Sequence, residues 1–124
     1  MFKKKYYFIA SVRVYKEKWP DGTKNYKGEN VGGKEYEQHE SRCWGFYTSK
    51  KKAIRAVEEN WSDMNEAGYY KYAVIEELTE GLLQCCLSDE TMWFEAKYDN
   101  NHFLGYKRCE LPKFADHVCG WTIG

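Results

Sequence analysis

The sequence predicts an α+β domain: a mostly antiparallel sheet in the order β-β-α-β-β-β, with one amphipathic helix packed on one face. Three observations carry this. Bulky and small residues alternate along residues 6–15 (YYFIASVRVY) with the period of a half-buried strand, placing Phe8, Ala10, Val12 and Val14 on one face. Ala53, Ile54, Val57, Trp61 and Met64 recur at three- and four-residue spacing, which is one buried helical stripe. Residues 91–98 and 103–111 are strand-like runs joined by Asp99-Asn100-Asn101-His102, a sequence suited to a hairpin turn. A chain of 124 residues fits one domain, spanning 1–124, and buries about two thirds of the surface its unfolded form exposes.

The other elements follow in order. Residues 16–34 hold WPDGT, KGEN and VGG without apolar periodicity, which predicts a long, mobile hairpin loop. Residues 35–47 resume as a second strand. Thr48 or Ser49 caps the helix by accepting a bond from a first-turn N–H, and Gly68 is its expected stop. Residues 69–78 form a third strand, whose apolar run Ala73-Val74-Ile75 suits a central position. Residues 82–87 (LLQCCL) are open between strand and coil. Pro112 ends the last strand, residues 113–117 suit one helical turn, and residues 121–124 an extended tail.

Composition excludes several function classes. Nineteen basic and nineteen acidic residues leave neither the cationic excess of a duplex nucleic-acid binder nor the acidic excess of a mimic, so any charge-driven contact is a local patch. Aromatic residues make up 18%, more than one core needs, which leaves rings for recognition. No early apolar run suits a signal peptide and no segment approaches the ~20 apolar residues of a membrane span, so a cytoplasmic protein without a membrane partner is expected. Five cysteines, an odd number without an export signal, point to reduced thiols.

Reaction chemistry finds little support. The histidines are His39, His102 and His117, and the best nucleophile pairing is His117 with Cys119 or Cys109. The same three residues are the nearest approach to a metal set, while adjacent Cys85 and Cys86 point to opposite faces of a strand and chelate poorly. Neither Glu76-Glu77 nor Glu58-Glu59 makes an acid–base couple, and no phosphate-binding glycine motif is present. No catalytic residue, metal site or cofactor is assigned.

The helix carries its charge against its dipole. Lys50, Lys51 and Lys52 crowd its start, while Glu58, Glu59, Asp63 and Glu66 fill its expected end, each charge costing about 0.3–1 kcal/mol. An anionic ligand at the helix start offsets that cost: Thr48, Ser49 and Lys50–Lys52 hold a phosphate, Arg42 adds bidentate contacts, and Trp44 or Tyr47 stacks on a base. The expected function is therefore non-enzymatic binding of a small anionic, nucleotide-like ligand. In the simpler alternative the lysines are solvated and Arg55 pairs with Glu58 or Glu59. A different class of function is inhibition of a host defence protein through the 16–34 loop and the rings of Trp19 and Tyr26; a small enzyme of unknown type is a third. Sheet edges also permit homo-oligomerisation.

The motifs WGFY before the helix, ENW within it, AGYYKYAVIEE after it and the terminal Ile-Gly resemble those of a family of small uncharacterised proteins from anaerobic gut bacteria and their prophages. The likeness covers most of the chain outside residues 16–40. It implies one compact α+β domain and a mobile-element setting, in which short proteins act as anti-defence factors, and it transfers no catalytic residue. Relative to that family the first hairpin is longer, which marks it as a place for a partner.

Overall fold

A computed structural model describes residues 4–81 and 91–117. Strand β1 (Lys5–Lys18) pairs with β2 (Glu35–Tyr47), helix α1 (Lys50–Glu58) follows, and β3 (Tyr72–Thr79), β4 (Thr91–Asp99) and β5 (His102–Cys109) complete the sheet. The spatial order is β2-β1-β3-β4-β5 and every neighbouring pair is antiparallel. The α+β class, with one α-helix on an antiparallel sheet among the described residues, agrees with the sequence reading.

Strand β3 is central, as its apolar run requires: Ala73, Val74 and Ile75 are fully buried and face alternate sides. On one side Ile9, Ala73, Ile75, Phe94 and Tyr106 pack against Ala53, Ala56 and Val57 of α1. On the other, Ala10, Val12, Val74 and Trp93 pack with Ala115. The single turn Lys113–His117 covers this second side, where the Phe114 ring meets His39, Tyr72 and Trp93 at centroid distances of 5.1, 5.0 and 5.7 Å. The sheet is thus covered on both faces, and Phe8, Ala10, Val12 and Val14 belong to the face away from the helix.

The helix is shorter than its hydrophobic spacing predicts. It ends at Glu58, with Glu59 as cap, and a short 3₁₀ turn (Trp61–Asp63) follows. Positive φ at Asn60 (54°), Ser62 (61°), Asp63 (53°), Glu66 (48°), Ala67 (56°) and Gly68 (96°) breaks the expected continuation to Gly68. Side-chain bonds replace the helical ladder. Asn60 Oδ1 accepts the Asn65 N–H at 2.9 Å, and buried Asn65 donates to the Tyr70 carbonyl (2.9 Å) and Tyr98 hydroxyl (3.0 Å) while accepting from the Gly68 N–H (2.7 Å). Trp61 and Met64 still reach the core, which is why the spacing looked helical. Asp63 and Glu66 consequently lie outside the helix; of the four acidic residues only Glu58 and Glu59 stand at its end, beside the lysines at its start, against the dipole.

The first hairpin also differs from expectation. The strands continue to the pairs Lys16↔Glu37 and Lys18↔Glu35, so residues 16–18 are strand rather than loop. The remaining connection is built rather than open: Trp19 N–H donates to the Lys34 carbonyl (3.0 Å), Gly33 N–H to Trp19 (2.8 Å), and Asn25 Oδ1 accepts from the Lys27 and Glu29 N–H groups (2.9 and 3.0 Å). The last hairpin turns through Asn100 and Asn101, both left-handed (48° and 68°), as a two-residue connection of this hand requires. The 82–87 segment and the 121–124 tail lie outside the described residues. Among the described residues no helix is long and apolar enough to cross a membrane.

Candidate functional site

An irregularity in the β1–β2 ladder builds the site. Ile9 pairs with Gly45 and Ala10 with Cys43, leaving Trp44 as the extra residue of a bulge. Gly45 takes φ 133°, a value that L side chains rarely adopt, where the bulged strand bends. Between β2, α1 and the 60–68 turn lies a cleft of about 210 Å³. Trp44, Tyr47, Trp61 and Ser62 line it with Phe46, over Ile9, Ala56 and Met64.

Each ring is held in place. Trp44 Nε1 donates to the buried Ser11 Oγ at 2.7 Å. Tyr47 and Trp61 meet edge to face at 6.1 Å and 78°. Trp61 Nε1 donates to Glu59 Oε1 (3.0 Å), and the other oxygen of Glu59 accepts from Arg55 Nε (3.1 Å). Those two donors, the indole first, hold the Glu59 carboxyl below its ordinary range. The Tyr106 hydroxyl donates to the Tyr70 carbonyl at 2.7 Å, so it and Asn65 together anchor the turn that forms one wall.

Two cations stand against the rings of the β2 wall. The Arg42 guanidinium lies 4.0 Å from the Trp44 ring centroid and pairs with Glu66 (2.5 Å). Lys52 Nζ stands 5.3 Å from the Tyr47 centroid, and among the described residues it has no carboxylate partner within ion-pair distance. Ser49 is the helix cap, its hydroxyl accepting the Lys52 N–H at 3.2 Å. The residues expected at an anion site therefore divide. Trp44 and Tyr47 line the cleft, Arg42 and Lys52 stand against those two rings without lining it, Ser49 serves the helix, and Thr48, Lys50 and Lys51 are exposed and line no part of it. Arg55 pairs with Glu59, as the simpler alternative expects.

Trp61, Ser62 and Glu66 were missed as site residues. Trp61 matched a helical core stripe, and nothing in the sequence pattern places the left-handed turn that brings Ser62 and Glu66 beside β2.

The other candidates are dispersed. Trp19 stacks on Tyr36 (4.0 Å, 20°), whereas Tyr26 at the hairpin tip is 92% exposed. His39 Nε2 lies 3.0 Å from Glu37, and His102 sits exposed at the start of β5. Glu76 is buried, while Glu77 accepts from the Tyr7 hydroxyl at 3.2 Å. Burial pushes the Cys109 thiol up, away from nucleophilic use. Among the described residues no three His, Cys, Asp or Glu side chains could hold a metal; Cys119 and the His117 side chain lie outside them. Compared with protein-family models, curated proteins and solved structures, the chain matches none.

Proposed function

We propose that this is a non-enzymatic binding protein whose cleft takes a small, planar, negatively charged ligand of nucleotide type. The observation that carries the reading is Lys52: an ammonium without a carboxylate partner among the described residues stands over Tyr47, beside a cleft walled by two indoles. Indole and phenol faces stack on any base, and a cation beside them meets a phosphate or carboxylate. A volume of about 210 Å³ is below that of drug-sized sites, about 300–1,000 Å³, which favours one ring system. The family resemblance supports a phage or prophage accessory role, in which sequestering a nucleotide signal counters a host defence.

Thermal shift against a nucleotide panel tests the reading. A true ligand at one hundred times its Kd adds about 2.7 kcal/mol, and Trp61→Ala or Lys52→Ala removes that shift. Absence of a shift with every anion overturns it. A second reading, inhibition of a host protein, is favoured by the exposure of Tyr26 at the tip of the hairpin. Capture of a host protein by the intact chain, lost in a variant shortened within residues 19–34, would favour it over the first.

A further inference from the structure

We propose that the ligand of the cleft carries negative charge at two ends, in the manner of a nucleoside bisphosphate, and that Glu66 occupies the second anionic position while the site is empty. This rests on the reading of the cleft given above. Two cations flank the aromatic wall of β2: Arg42 over Trp44, and Lys52 over Tyr47. Trp44 and Tyr47 are separate rings of that wall, so one bound molecule that meets both cations needs two anionic groups.

The two ends differ. Lys52 has no carboxylate partner among the described residues, whereas the Arg42 Nη1 is held by Glu66 Oε1. Glu66 belongs to the left-handed turn that also carries Ser62 and Met64 of the lining, so its carboxylate reaches from one wall of the cleft to a cation on the other. Both side chains are substantially exposed, at 53% and 37%, and an ion pair of that kind is weak. A phosphate offers Arg42 a bidentate, doubly charged partner in exchange. Glu66 thus acts as an internal stand-in that the ligand's second anionic group displaces, and it selects against ligands that lack one.

Calorimetric titration with adenosine 5′-monophosphate and adenosine 3′,5′-bisphosphate tests this in the intact chain and in Glu66→Gln, Arg42→Ala and the double variant. The bisphosphate is expected to bind about tenfold more tightly than the monophosphate. Glu66→Gln tightens the bisphosphate a further two- to fivefold or so and leaves the monophosphate unchanged. Arg42→Ala erases both differences, and Glu66→Gln adds nothing in that background. Equal binding of the two nucleotides, or a Glu66→Gln gain that survives Arg42→Ala, overturns the proposal. If neither nucleotide binds and Trp61→Ala is equally silent, the cleft reading itself fails and this inference falls with it. Melting curves of each variant verify that the fold is retained.

Discussion

Replacing Asn65 with leucine tests whether the 60–68 turn is held by side-chain bonds rather than by propensity. Asn65 is 2% exposed and its amide makes three bonds, to the Tyr70 carbonyl, the Tyr98 hydroxyl and the Gly68 N–H. Each contributes about 0.5–1.5 kcal/mol net, so their sum is about 3 kcal/mol. Two partners keep another bond: the Tyr70 carbonyl still receives the Tyr106 hydroxyl, and the Gly68 N–H still has the Asn65 carbonyl at 3.2 Å. That holds the loss to about 2–3 kcal/mol, since leucine preserves most of the buried volume. In a chain of this size this lowers Tm by about 10 °C. Urea unfolding followed by circular dichroism gives the number directly. A loss below about 0.5 kcal/mol would refute the argument, because five non-glycine residues in left-handed conformation between Asn60 and Ala67 would then be stable without their anchor.

Four further substitutions examine other parts of the account. Gly105 has φ 120°, and a Cβ there would lie 3.0 Å from the Glu58 carbonyl at the helix end, so Gly105→Ala should cost about 2 kcal/mol or more in chemical denaturation; neutrality would mean that α1 does not seat on β5 as described. Burial pushes the fully buried Tyr106 hydroxyl well above the usual tyrosine range, so the folded chain keeps that proton when the unfolded chain has lost it. Stability is then fully present below about pH 10 and falls as pH rises beyond it; Tyr106→Phe should flatten this alkaline decline, at a cost of about 1 kcal/mol at neutral pH for the lost bond to Tyr70. An unchanged alkaline profile would contradict the assignment. Lys50→Glu and Lys51→Glu should each stabilise the helix by about 0.3–1 kcal/mol at low salt, and weaken ligand binding less than Lys52→Ala does, because of the three lysines only Lys52 stands over a ring of the cleft. Equal losses of binding from all three would replace the cleft with a diffuse lysine patch.

Strand periodicity was legible because a sheet repeats every two residues and its register is fixed by burial. The Ala73-Val74-Ile75 run marked the centre of the sheet, and the Asn100-Asn101 pair marked a turn that needs two positive φ values. The end of the helix was not legible. Trp61 and Met64 kept a helical spacing while their backbone left the helix, because the buried amide of Asn65 organises that turn through partners as distant in sequence as Tyr98. The same tertiary event separates the site residues. Arg42, Trp44, Tyr47 and Lys52 sit on elements whose spacing was readable, so their convergence could be anticipated. Trp61, Ser62 and Glu66 join them only through a left-handed path without a periodic signature. The hairpin was misread for a related reason: the charged pairs Lys16↔Glu37 and Lys18↔Glu35 extend a ladder beyond the core, where hydrophobic alternation gives no signal.

Isotope-labelled NMR of the intact chain during titration with adenosine 3′,5′-bisphosphate tests the central claim most directly, since indole N–H resonances report each tryptophan separately. The account predicts saturable shifts of the Trp44 and Trp61 indoles together with the Lys52 amide, while the Trp19 indole in the distant hairpin stays fixed. Shifts concentrated at Trp19, or none at Trp44 and Trp61 up to millimolar nucleotide, would contradict it.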